Sequence, residues 1–172
     1  MKQLLLTFLI MLTGWVSTAQ QVEQVRFFDN LKAYCGETFP GKVVHGNPFP
    51  GVTDMSITFE VCDETEIKIP FVVGENKSRT WILTMTADGI QLKHDHRHED
   101  GTPDRITNYG GTSTEQDENK QVFPADSFTK ELLPRSTGQI WTLSLDKENQ
   151  VLTYMLHSNG RLYAQVDFDL KR

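Results

Sequence analysis

RTWILTMTADGIQLKHDHRH, residues 79–98, alternates apolar and polar positions on both sides of a short interruption. Trp81, Leu83 and Met85 share one side of the first run, Ile90 and Leu92 share one side of the second, and Ala87-Asp88-Gly89 lies between them. Because successive strand side chains point to opposite faces, this pattern predicts a β-hairpin with one apolar and one polar face. His94, His96 and His98 continue the apolar phase, whereas Gln91, Lys93, Asp95, Arg97 and Glu99 take the other. The histidines are thus expected to point inward from a wall whose outer face carries alternating charge.

The same period of two spreads outward from this hairpin. MSITFEVC (55–62) and EIKIPFVV (66–73) each have an apolar face, with Asp63-Glu64-Thr65 as a turn between them. Pro70 has no ladder N–H, which predicts an edge strand or a bulge there. Residues 140–145, 151–157 and 162–170 read as three closing strands joined by hairpins at DKEN (146–149) and SNG (158–160). A further strand is expected over 104–110 and a polar loop over 111–120. Thr38 to Gly51 is rich in Pro and Gly, with room for a short strand at Val43 and Val44. Two helices complete the pattern. One is predicted over 22–34, with Val22, Val25, Phe28 and Leu31 in helical spacing and Phe27 beside them. The other is short, capped by Asp126 and stopped by Pro134.

One helix followed by eight to ten antiparallel strands, each with a single apolar face, must curl or stack to hide that face. Short sequential hairpins favour an up-and-down barrel of lipocalin or fatty-acid-binding architecture, with a β-sandwich as the alternative. The Gly-x-Trp start of lipocalins is absent, so the comparison concerns architecture alone.

Residues 1–19 read as a cleavable signal peptide: Lys2 gives a positive start, Leu4 to Leu12 an apolar run too short to span a membrane, and Ser17-Thr18-Ala19 a small-residue cut site. Gln20 and Gln21 follow the cut, where a lipid anchor would want Cys. Residues 20–172 are then one secreted or periplasmic domain without membrane span or anchor. Lys2 is the leader's sole charged residue, so its loss shifts the formal net charge from −6 to −7. Such an acidic chain without a basic cluster excludes nucleic acid as a partner. Cys35 and Cys62 are an even pair in an exported chain, which predicts a disulfide.

Two functions compete for the histidine strand. As the wall of a small-molecule pocket, it would offer His94, His96 and His98, with Trp81 and Tyr109 beside them. As a divalent metal site, for zinc above all, it would use His94 and His96 with a further ligand from His98, His157, His45, Asp100 or Asp104. Histidines two apart on a strand stand about 6.6 Å apart at Cα, close enough to share one ion. Glu99 or Asp100 would be the base of a metal-dependent hydrolase. The cupin pattern, Gly, five residues, then His-x-His, fits poorly, because only four residues separate Gly89 from His94 and no second motif follows. No phosphate loop, nucleophile elbow or HExxH helix is present. An interaction module has no repeat or low-complexity arm to support it.

LKHDHRHEDGTPD (92–104), YCGETFPG (34–41) and FPADSFTKELLP (123–134) together resemble a family of secreted bacterial proteins of unknown function. The resemblance implies export and no particular activity. The expectation is therefore a non-catalytic, ligand-binding barrel, with metal binding or metal-assisted hydrolysis as the alternative.

Overall fold

The structure, a computed structural model, describes residues 17–134 and 138–172. Residues 1–16 of the expected leader lie outside the described residues. Helix α1 (Ser17–Lys32) precedes strands β1 (Thr38–His45), β2 (Met55–Thr58), β3 (Val61–Cys62), β4 (Glu66–Val73), β5 (Asn76–Thr86), β6 (Gly89–His96), β7 (Tyr109–Ser113) and β8 (Lys120–Pro124). Helix α2 (Ser127–Leu132) and strands β9 (Gln139–Asp146), β10 (Val151–Ser158) and β11 (Arg161–Asp169) follow. The ladder runs β7-β6-β5-β4-β2-β1-β11-β10-β9-β8, with the short β3 also on β4, and every pair is antiparallel. The chain is an all-β, nearly closed up-and-down barrel, not a sandwich.

Its interior follows the alternation of the sequence. Ile67, Ile69 and Phe71 of β4, Trp81 and Leu83 of β5, Trp141 and Leu143 of β9, and Val166 and Phe168 of β11 are buried on the inner face. Closure brings the first and last strands together, Val43 opposite Val166, and leaves the seam in mid-chain, between β7 and β8.

Side chains sew that seam. Thr129 of α2 accepts from the Gly110 N–H (2.7 Å) and donates to the Gly110 carbonyl (2.9 Å), while the Asp126 N–H donates to the same carbonyl (3.0 Å). Ser113 donates to Gln121 Oε1 (2.8 Å) and accepts from the Val122 N–H (3.2 Å). From α1, Gln24 donates to the Ser113 carbonyl (2.9 Å). The approach is close enough to demand glycine: a Cβ on Gly111 would stand 1.8 Å from the Pro124 carbonyl oxygen.

Several expectations change here. Residues 104–108 of the strand expected over 104–110 are instead an irregular return, and β7 occupies Tyr109–Ser113, straddling the end of that expected strand and the start of the expected loop. Gly110 and Gly111 are there for clearance, so β7 carries no apolar alternation to read. On α1, Val22 and Val25 are exposed, and the buried face is Gln24, Phe27, Phe28 and Leu31. Gln24 takes the inward position because the seam needs its amide. MSITFEVC is interrupted between β2 and β3. Pro70 faces that interruption in an interior strand, with a register shift following between Phe71 and Val73.

Helix α1 plugs one end of the barrel, and the expected Cys35–Cys62 disulfide holds the segment after it to β3, with Cα atoms 6.1 Å apart. Asp126 caps α2 by accepting from the Thr129 N–H, as its position in the sequence suggests. Replacing both cysteines by alanine releases a 27-residue loop and is expected to lower the free energy of unfolding by about 3.5 kcal/mol in urea titrations. Gly111→Ala is expected to cost about 2 kcal/mol or more in the same assay, because the seam must part to admit the methyl group.

Candidate ligand-binding site

The end of the barrel opposite α1 is not filled. It holds a cavity of about 300 Å³, walled by Phe71 of β4, Trp81 of β5, His94 and His96 of β6, Tyr109 of β7, Trp141 of β9, Tyr154 and Leu156 of β10, and Ala164 and Val166 of β11. Pro48, Phe49 and Ile106 approach from loops, and Leu133 from the end of α2. Arg79 and Gln139 add polar groups. Each strand contributes inward positions from the half that points away from the helix.

Aromatic stacking fixes the wall. The His94 ring lies on Tyr109 (centroids 4.7 Å apart, planes 10° apart), and Trp81 lies on Tyr154 (4.6 Å, 15°). Hydrogen bonds then fix the protons. His94 Nδ1 lies 3.2 Å from the Tyr109 carbonyl, which can only accept, so the proton sits on Nδ1. Its Nε2 is left to accept from the Tyr154 hydroxyl at 3.1 Å. His96 Nε2 and the Tyr109 hydroxyl are joined at 2.9 Å.

Burial keeps this network uncharged. It lowers His94 to about 3 against the lesser opposing effect of the Tyr109 carbonyl. His96 is lowered as well, first by burial and then by the neighbouring Arg79. Burial pushes the Tyr109 phenol up to about 12 and the Tyr154 phenol well above its ordinary value. At neutral pH these histidines and tyrosines are therefore neutral donors and acceptors, beside the charged Arg79.

The strand ends at His96, two residues before the expected limit. An Asx turn in which Asp100 accepts from the Thr102 N–H (2.9 Å), with Gly101 at φ 82°, sends the chain back along β6. Asp104 N–H then donates to the His96 carbonyl (2.9 Å) and Asn108 N–H to the His94 carbonyl (2.7 Å). His98 is consequently exposed in the turn and not on the inner face. Asp95, expected on a solvated wall, is buried, because the returning chain covers it and Arg97 and Thr107 bond its carboxylate.

No family model, curated protein or solved structure matches this chain. The function must be argued from the site itself. His94, His96, Trp81 and Tyr109 converge as expected for a pocket, but the other candidate metal ligands do not join them. His45 is exposed at the end of β1, His157 has the outward parity on β10, and Asp100 and Asp104 bond backbone N–H groups of their own turn. Among the described residues no three His, Cys, Asp or Glu side chains are grouped to hold a metal ion. Glu99 is exposed, and among the described residues no carboxylate lines the cavity.

Arg79, Gln139, Trp141 and Tyr154 are site residues that the histidine pattern does not pick out. A signal for them exists: Arg79 is in phase with Trp81 and Leu83, and Gln139 with Trp141 and Leu143. A polar residue in apolar phase near the start of a strand marks the rim of this cavity.

The unfolded chain protonates a histidine near pH 6.5, while His94 in the fold resists until about pH 3. Between those values the unfolded state binds the extra proton, so His94's contribution is whole above about pH 6.5 and is lost as pH falls toward 3. The slope for this one group approaches about 1.4 kcal/mol per pH unit. Urea midpoints are expected to fall between pH 7 and pH 5, and His94→Gln is expected to flatten that slope. An unchanged slope in the variant would contradict the assignment.

Proposed function

We propose that the chain is a non-catalytic binding protein for a small, largely apolar molecule, held in the open end of the barrel and acting outside the cytoplasm. The observation that carries this reading is the cavity of about 300 Å³ with aromatic walls and a few convergent polar groups. That volume is at the lower end of the range for small-molecule sites, and the mixture of apolar wall and sparse polar groups is typical of them. Neutral imidazoles and phenols, with no carboxylate or metal-ligand set beside them among the described residues, favour holding a molecule over transforming it. The disulfide and the leader-like N-terminal sequence support an oxidising, extracytoplasmic setting.

Trp81 and Trp141 on the cavity wall make occupancy visible. Titration with the neutral fluorophore N-phenyl-1-naphthylamine is expected to quench tryptophan emission saturably, at one molecule per chain and micromolar affinity. Ala164→Phe and, independently, Leu156→Phe intrude on the cavity and are expected to weaken binding at least tenfold in protein whose near-ultraviolet dichroism is preserved. Absence of saturable binding to the unaltered protein would remove the reading.

A further inference from the structure

The cavity carries a charge that no described group answers. Arg79 stands opposite His96 on one neighbouring strand and Phe71 on the other. Its guanidinium lies 5.5 Å from the centroid of the Phe49 ring, which holds it against the pocket. The nearby ion pairs leave it out, since Lys93 takes Asp126 and Arg97 takes Asp95. Nη1 of Arg79 is buried without a hydrogen-bond partner among the described residues. The other buried side-chain atom in that condition is Gln139 Oε1, and it too lines this cavity. Buried polar atoms are almost always satisfied, so the orphaned donor on Arg79 marks a group that a bound acceptor would complete, whereas Gln139 Oε1 is itself an acceptor and would be completed by a donor such as water.

Polarity narrows the molecule further. Among the described residues Arg79 is the single Lys or Arg on the cavity wall, no Asp or Glu shares it, and the histidines beside it are neutral at neutral pH. One guanidinium matches one carboxylate, which it can hold through two parallel N–H···O bonds. A phosphate monoester would bring nearly twice the charge and leave part of it unpaired among aromatic rings.

Building on the pocket reading above, we propose that the ligand is a monoanionic organic acid, an aromatic or branched apolar body bearing one carboxylate that Arg79 binds. The body lies among Trp81, Trp141 and Tyr154. Arg79 is here a specificity-determining residue, selecting acids over neutral molecules of the same shape.

Calorimetric titration at pH 7.5 with 2-naphthoate, 2-naphthamide and 2-naphthyl phosphate tests this. Naphthoate is expected to bind at least tenfold more tightly than the amide. Arg79→Gln is expected to bring naphthoate down to the amide's affinity without moving the amide, and Arg79→Lys to retain part of the preference. Equal binding of acid and amide by the unaltered protein overturns the proposal whatever the variants do, as does a loss in Arg79→Gln that is the same for both. A phosphate that binds more tightly than naphthoate overturns the choice of carboxylate. Binding of N-phenyl-1-naphthylamine without binding of naphthoate overturns the acid and leaves the pocket standing, whereas binding of none of these probes removes both.

Discussion

The constraint on which this structure depends is the open edge between β7 and β8. A ten-strand path that stops short of full pairing leaves two rows of backbone groups needing partners, and an exposed edge of that kind invites pairing with other chains. Here the partners come from the two helices and from side chains of the edge strands themselves. Thr129 and Asp126 serve Gly110, Ser113 and Gln121 bridge the gap, and Gln24 reaches in from the N-terminal helix. Each of these groups is buried or half-buried, so loss of any one leaves a desolvated donor or acceptor behind. The helix is therefore more than a plug of Phe27, Phe28 and Leu31, because its buried Gln24 amide helps to close the barrel.

This division of labour explains what could be read in the sequence. Strands whose inner face meets the apolar core obey the period of two, and β4, β5, β6, β9, β10 and β11 are legible for that reason. Strand β7 is not, because its central residues were selected for thinness: Gly110 and Gly111 admit the Leu92 and Pro124 carbonyls where any side chain would collide. The same logic misassigns Val22 and Val25. Helical spacing identifies an apolar stripe, but the seam needs an amide, and the helix rotates Gln24 inward at the cost of exposing two valines.

The site was legible to the same degree and for a related reason. His94 and His96 stand out because polar residues in apolar phase are costly to bury without partners. His98 shares their phase on paper but not in space, since the Asp100-Gly101-Thr102 turn ends the strand before reaching it. The Tyr109 carbonyl and hydroxyl and the Tyr154 hydroxyl that satisfy the histidines arise from a register between strands, which no single strand encodes. The same holds for Arg79 Nη1, whose lack of a partner among the described residues depends on several strands at once.

Seam and site are one mechanical unit. Tyr109, which holds both histidines, is followed directly by Gly110, which Thr129 and Asp126 lock from α2. Asp126 also pairs with Lys93, the outward neighbour of His94 on β6. Past α2 the chain runs to Leu133 on the cavity wall, so the helix that closes the barrel also shapes its mouth. Tyr109 and Leu133 on the cavity wall are thus joined directly to the residues that seal β7 to β8, Tyr109 through its peptide bond to Gly110 and Leu133 through its N–H to the Thr129 carbonyl. Differential contact with two arrangements of that seam would be needed for binding at one end to be felt along the edge. The hydrogen bonds at Gly110 adjoin both the cavity wall, through Tyr109, and the seam, so a ligand of the proposed kind that favoured the closed seam would slow amide exchange at Gly110.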